Sequence, residues 1–278
     1  MDSMANELNS EIPGKIYLCQ VNRAVSCGAC CGLYNVEDAS REALQSRLLV
    51  RTNEFARVPR NMEAILAFKE ETEARENGTR PFPKFHHCPY IGLAGSMHSR
   101  VGCLLHPLAD GNQGVDFRGL SFYGGLACRV YFCPTYRELS STVKKIILGV
   151  TSDWHLYGLV ITEASMLTAF FNELENRRGI PLDTEAILSS MSCRDAINTF
   201  LTLKLTWPFR HAHNLHPANY FFEDRLYQNA PIDYDIIGTP PSHYDPILRA
   251  LNSHIASKET LLRAEDMLDQ IFEGRGFC

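Results

Sequence analysis

The chain has 278 residues, 21% of them charged, and a formal net charge of −5, with a pI near 6.1. That length suits one large domain or two modest ones. No Lys/Arg block gives the electrostatic footprint of a nucleic-acid or anionic-membrane partner, so neither is expected.

Residues 1–14 read as a flexible tail without the cationic and apolar regions of a secretory signal. The most apolar stretch, residues 154–171, is broken by Glu163 and falls short of the ~18 apolar residues of a membrane span. A cytoplasmic protein is therefore expected. Lys15–Ser26 reads as extended, with Cys19 inside it. Cys27-Gly-Ala-Cys30-Cys31-Gly follows, a knuckle with glycine after each half. A helix is expected over Val36–Val50 with Asn35 as N-cap and Asp38 in the first turn. A second runs from Pro59 to Asn77 and stops at Gly78. Residues 87–134, with Cys88, Cys103, Cys128 and Cys133, have the composition of loops and short strands.

Beyond Tyr136 helical periodicity takes over. Leu139–Val150 forms one helix. Ser152 opens a long, central one that ends at Gly179. Asp183 and Ser192 are N-caps of two more, and Trp207-Pro208 stops the pair. A loop-rich region, Arg210–Ser242, overlaps an aromatic-rich segment, Trp207–Tyr227, and precedes two last helices, Asp245–Ala256 and Glu259–Glu273, with Gly274 as C-cap.

Seven of the ten cysteines, Cys27, Cys30, Cys31, Cys88, Cys103, Cys128 and Cys133, fall in two groups in the first half of the chain. In a cytosolic setting such clusters bind metal or do chemistry more often than they form disulfides. Converging thiolates hold zinc or an iron–sulfur cluster. Cys27 and Cys30 can close on one metal, whereas the side chains of the adjacent Cys30 and Cys31 diverge. That leaves two patterns open. One is two four-coordinate sites, with Cys19, His87 or His106 as the eighth ligand. The other is a single cluster with spare thiols nearby. Cys193 reads as a buried free thiol and Cys278 as a terminal one.

Four segments carry a resemblance: SCGACC at Ser26–Cys31, CPYIGL at Cys88–Leu93, GCLLHP at Gly102–Pro107 and CRVYFCP at Cys128–Pro134. In order and flanking residues the chain resembles the YkgJ-type cysteine-cluster family, a zinc- or iron-chelating domain, over about residues 19–137. It departs from that pattern at Ala24, where the family commonly has a further cysteine, and in the long insert between Pro107 and Cys128. The cysteine set is also similar, more distantly, to that of flagellin lysine-N-methylases, which are associated with an iron–sulfur cluster. That likeness implies a modifying enzyme by analogy alone.

Other groups read more plainly. His211, His213 and His216 lie in the aromatic segment, which could wall a pocket beside the cysteine loops or simply cement the two halves. Arg118 and Arg129 are expected beside the cofactor, holding a carboxylate or offsetting thiolate charge. Asp110 and Asp116 read as turn residues. No P-loop, GxGxxG, GxSxG or HExxH motif is present.

The expected fold is α+β, mostly α. An irregular, cysteine-rich N-terminal half (15–137) is nucleated by metal, and a helical half (138–278) packs on it. The expected function is a metal-binding cysteine-cluster protein with an iron–sulfur cofactor, 4Fe–4S favoured, in a redox or modifying role. The alternative is a zinc-stabilised binding or scaffold module without catalysis. The partner is an unspecified small molecule or protein.

Overall fold

Ser40, not Asn35, opens the first helix. The Ser40 side chain accepts the Ala43 amide at 3.3 Å and starts α1 (Arg41–Phe55), while Asp38 accepts the Ser40 amide at 2.8 Å. Asn35 is fully buried instead. Its Nδ2 donates to the carbonyls of Phe82 (3.0 Å) and Phe85 (2.8 Å), and its Oδ1 accepts the Phe82 amide at 3.0 Å. An Asn amide mimics a backbone unit, so one side chain satisfies three groups of the 82–85 loop. That use competes with capping and wins.

The computed structural model describes residues 12–95, 97–210, 218 and 231–273. It is mostly helical with one two-stranded sheet, and its Cα positions group into two compact units. No helix among the described residues is long and apolar enough to cross a membrane.

The cysteine unit comprises Tyr17–Cys133 and Asp153–Gly158. After α1 comes α2 (Met62–Arg75), capped by Asn61, whose side chain accepts the Ala64 amide. The strands β1 (Ile91–Ala94) and β2 (Arg100–Cys103) pair antiparallel with Ile91 opposite Cys103. The Lys15–Ser26 stretch makes an isolated bridge, Gln20 to Ser26, rather than a strand. The CRVYF stretch lies partly on a short helix, α3 (Gly124–Val130), where loops and strands are expected. Phe55, Ile65, Phe68, Cys88, Tyr90, Leu104 and Leu105 form the core of this unit. Tyr90 buries its ring there and donates its hydroxyl to the Ile65 carbonyl at 2.9 Å.

The late segment Asp153–Gly158 belongs to this unit through polar contacts. Tyr157 donates to the Leu18 carbonyl at 2.7 Å, His155 Nε2 meets the Ala39 carbonyl at 2.9 Å, and Tyr34 donates to the His155 carbonyl at 3.0 Å. Gly158 permits this approach, because a Cβ there would stand 2.2 Å from the Tyr34 hydroxyl.

The helical unit holds α4 (Thr135–Glu138) and α5 (Ser141–Val150), the latter capped by Ser140. The single long helix expected after Ser152 is two helices, α6 (Trp154–Ile161) and α7 (Ala164–Arg178), and Asp153 rather than Ser152 accepts the first amides. The break falls at Glu163, whose backbone leaves the helical region (φ −96°, ψ 61°). Its buried carboxylate meets Lys204 Nζ at 2.6 Å, and Nζ also donates to the Ala250 carbonyl at 2.8 Å. Gly179 ends α7 in the left-handed region and Asp183 caps α8 (Thr184–Ser189), both as expected. Ser190, not Ser192, caps α9 (Met191–Thr206) by accepting the Cys193 amide. Cys193 is disulfide-bonded, so the free-thiol expectation for it is corrected.

Three helices complete the unit: α10 (Tyr234–Ile237), α11 (Asp245–Ala250) and α12 (Lys258–Glu273). α11 stops short of the expected Ala256, and Asn252 just beyond it has a positive φ. Phe170 stacks on Phe200 with ring centres 3.8 Å apart and lies 5.3 Å from Phe272, which ties α7, α9 and α12 together. Gly274 and Cys278 lie outside the described residues.

Two substitutions test these anchors by urea denaturation. Asn35→Ala removes three hydrogen bonds to the 82–85 loop, while the Phe82 and Phe85 carbonyls keep donors in the Phe85 amide and Arg80, and is expected to cost about 1–2 kcal/mol. Glu163→Ala strands a buried ammonium and is expected to cost about 3–5 kcal/mol, most of it regained in the Glu163→Ala/Lys204→Met pair.

Candidate metal centre

The knuckle is one 3-10 turn, Ala29–Cys31, in which the Cys31 amide donates to Gly28 at 3.0 Å and the Gly32 amide to Ala29 at 2.8 Å. Gly32 ends the turn at φ 74°, and a Cβ there would sit 2.0 Å from the His86 carbonyl. Only glycine lets the knuckle and the 86–88 segment cross so closely. The crossing is fixed by the Cys88 amide donating to the Cys31 carbonyl at 2.8 Å. The Cys27 amide likewise donates to the Cys19 carbonyl at 2.8 Å. Cys103 ends β2, and Cys31 and Cys103 pack on the core cluster that contains Cys88. Cys128 rides on α3 with its sulfur 3.0 Å from Ser121 Oγ.

Cys19, Cys27, Cys30, Cys31, Cys88, Cys103, Cys128 and Cys133 lie outside any disulfide; Cys88 is buried, Cys128 exposed and the other six half-buried. Among the described residues, no three His, Cys, Asp or Glu side chains stand in the geometry of a formed metal site. The thiols nevertheless sense one another. Burial pushes Cys27 well up, and charge at Cys30, Cys19 and Cys133 adds to it. Cys31 is pushed up by hydrogen bonding to Cys30, then by burial and by Cys88 and Cys103, while the same bond draws Cys30 down. Burial raises Cys88 to about 11 and Cys103 to about 12, with neighbouring thiols contributing to both. These donors are soft, and burial together with neighbouring thiolate charge opposes their ionising side by side. Their chemistry therefore fits zinc or iron–sulfur ligation.

The histidines are committed elsewhere. Arg51 can only donate, so His87 Nε2 accepts from it at 2.7 Å, and Nδ1–H donates to the Gly32 carbonyl at 2.6 Å. Neither nitrogen has a lone pair left for a metal. His106 Nδ1 accepts the Leu108 amide at 3.1 Å, which leaves its neutral ring a donor at Nε2. His211, His213 and His216 lie outside the described residues, as does most of the Trp207–Tyr227 segment.

Arg118 and Arg129 both turn to Asp116. Arg118 grips it through Nε (2.9 Å) and Nη2 (2.7 Å), and Arg129 Nε stands 2.7 Å from Oδ2. Hydrogen bonding to Arg118 holds the Asp116 carboxyl far below the usual carboxylate range. Arg118 also reaches the Cys128 carbonyl at 3.4 Å and lies within electrostatic reach of Cys103. It stands beside the thiols as an anchored positive charge. Any carboxylate ligand would have to compete with Asp116 for it.

Three participants escape sequence reasoning: Arg51, Tyr157 and Ser121. Only Arg51 leaves a signal, since it occupies the buried face of α1 with Leu44, Leu48 and Phe55. A charged residue on an apolar stripe implies a buried partner. Comparison with protein-family models, curated proteins and solved structures finds no match.

His86 and His87 generate a pH prediction. Burial holds His86 down to about 4 and His87 to about 3. Both stay neutral in the fold while the unfolded chain takes up protons below its ordinary histidine range. Stability is therefore full above about pH 6.5 and falls as pH drops toward the folded values, by up to ~1.4 kcal/mol per pH unit for each ring. His86 Nδ1 is buried without a hydrogen-bond partner, and the ring stacks on Phe122 at 5.0 Å. His86→Phe keeps the stacking and removes the orphan atom. Urea unfolding at about pH 7 and about pH 5 should show a shallower acid loss in this variant than in the parent.

Proposed function

We propose that this chain is a metal-binding cysteine-cluster protein whose thiolates hold an iron–sulfur centre, in a redox or modifying role. The observation that supports this most is the meeting of two cysteine segments at one crossing of the chain, where the Cys88 amide donates to the Cys31 carbonyl and Cys31 and Cys103 pack on the cluster that contains Cys88. Left as thiols, these groups spend burial on weak hydrogen-bonding atoms; a soft cation converts the same burial into bonding. Metal would supply folding free energy to a unit whose described residues form one sheet of two short strands.

Residues of the chain divide the remaining work. Arg51 and His87 fix the loop that presents Cys88. Arg118, held by Asp116, places positive charge beside Cys103 and Cys128. The exposure of Cys128 leaves one edge of the thiol group open to a reactant. A centre that exchanges electrons or binds substrate needs such an edge. An iron–sulfur centre would supply electron transfer or Lewis acidity there.

A second reading, a zinc-stabilised module without catalysis, is favoured by Cys128 being the one exposed thiol of the eight, since structural zinc sites are closed. Metal and sulfide analysis of the full chain purified without air separates the two. Iron with acid-labile sulfide and broad visible absorption supports the first; colourless protein with zinc supports the second. Cys88→Ser or Cys133→Ser is expected to give insoluble or metal-depleted protein. Full metal content in Cys133→Ser removes Cys133 from the ligands.

A further inference from the structure

The helix α3 belongs to the cysteine unit and buries none of its own residues. Small and polar groups hold it. Gly125 lies against Gly119 of the 3-10 turn Arg118–Leu120, where a Cβ would stand 3.3 Å from the Gly119 backbone. Arg118 reaches the Cys128 carbonyl at 3.4 Å, and Ser121 Oγ meets the Cys128 sulfur at 3.0 Å. The apolar side chains are left over. Leu126 is 78% exposed, Phe122 62% and Val130 58%, and Tyr123 and Tyr131 of the same segment are exposed too. Positions 122, 126 and 130 are four apart, so they mark one stripe along the helix and the turn leading into it.

The stripe is fixed from below. Phe122 stacks on the buried His86 ring at 5.0 Å, and Tyr123 meets the same ring edge-on at 4.4 Å. Aromatic rings already held at a surface lose little freedom when something covers them. The border of the stripe is basic. Residues 80–88 and 117–133 hold Arg80, Lys84, Arg118 and Arg129 and no Asp or Glu. Arg80 donates to the Phe85 carbonyl at 3.2 Å, next to His86. Arg80 and Lys84 are exposed and meet no carboxylate among the described residues. Arg118 and Arg129 share Asp116, so one carboxylate faces two guanidiniums. A chain of net charge −5 thus borders this apolar stripe with positive charge.

We infer that α3 and the Phe122–Tyr123 turn form a docking surface for an acidic amphipathic helix of another protein. Its apolar side chains cover the stripe, and its Asp or Glu side chains meet the basic border. This goes beyond the metal-binding reading and does not depend on it. Aromatic rings and cations alone would suit a single-stranded nucleic acid. The aliphatic residues decide against one, because Leu126 and Val130 offer a base nothing to stack on. The net charge of the chain also opposes polyanions and anionic bilayers. A two-fold pairing of copies would set basic border against basic border. An acidic helix with an apolar face is complementary in both respects.

Photo-crosslinking of the full chain in its own cells tests this. The photoreactive residue p-benzoylphenylalanine replaces Leu126 or, in a second chain, Phe122. A control chain carries it at the exposed Leu262 on α12. Far-UV circular dichroism checks that each chain folds as the parent does, and the conservative Phe122 probe serves if the Leu126 chain does not. The expected result is an adduct to one protein from both probe positions, absent from Leu262. The cross-linked peptide is expected to carry apolar residues three or four apart, with Asp or Glu beside them. Val130→Ser in the probe chain should cut adduct yield about tenfold, through lost apolar burial. Lys84→Glu should cut it about threefold, through reversed charge at the border. Adduct only to a second copy of the chain, to lipid or to nuclease-sensitive material overturns the inference. So does an adduct that Lys84→Glu leaves unchanged, or a yield at Leu126 and Phe122 no greater than at Leu262.

Discussion

The Arg51 guanidinium is the interaction on which the cysteine unit depends. It is 1% exposed and still charged, so the fold must compensate it fully. It does so from several directions. Glu76 pairs with Nε and Nη2, the carbonyls of Cys88 and Ile91 take Nη1 at 3.0 and 3.3 Å, and His87 accepts from Nη2. One planar fork therefore joins α1, the end of α2, the Cys88 loop and the start of β1. A lysine ammonium could not reach these partners in one plane. Because His87 passes the restraint on to Gly32, the same charge also fixes the back of the knuckle.

This anchoring explains how so irregular a segment can hold an ordered set of thiols. Loops cost conformational entropy and make few ladder hydrogen bonds. Here the cost is offset by polar side chains serving as local backbone. Asn35 completes the 82–85 loop, Asn112 donates to the Leu104 and His106 carbonyls at 2.8 Å, and Thr52 accepts the Leu93 amide at 2.8 Å. The thiols are thereby carried on loops that side-chain hydrogen bonds hold in place.

The longer helices were legible from periodicity, the short ones at Gly124–Val130 and Tyr234–Ile237 were not, and the stops at Gly179 and Trp207 followed from local chemistry. Caps were less legible wherever two candidates lay close. Ser190 prevailed over Ser192, and Asp153 over Ser152, because only the residue at the actual turn can reach the free amides. The split of the long helix at Glu163 was hidden, since its cause is a lysine far along the chain. In the cysteine unit the candidate ligands were visible as a spacing. Their arrangement was not, because it arises from a glycine crossing and a buried arginine that periodicity does not register. The attachment of Asp153–Gly158 to this unit was likewise invisible, since it runs through carbonyls, which carry no sequence identity.

That attachment has a consequence for biosynthesis. A chain emerging from the ribosome presents Cys19 through Cys133 before Asp153–Gly158 exists. Until Tyr157 reaches the Leu18 carbonyl and Tyr34 reaches the His155 carbonyl, the thiol unit lacks its last polar restraints. During that interval the nascent thiols stand on loops that nothing from the later chain has yet closed. The order of the polypeptide thus sets a period in which the thiols of residues 19–133 are made but the last contacts of their unit are not.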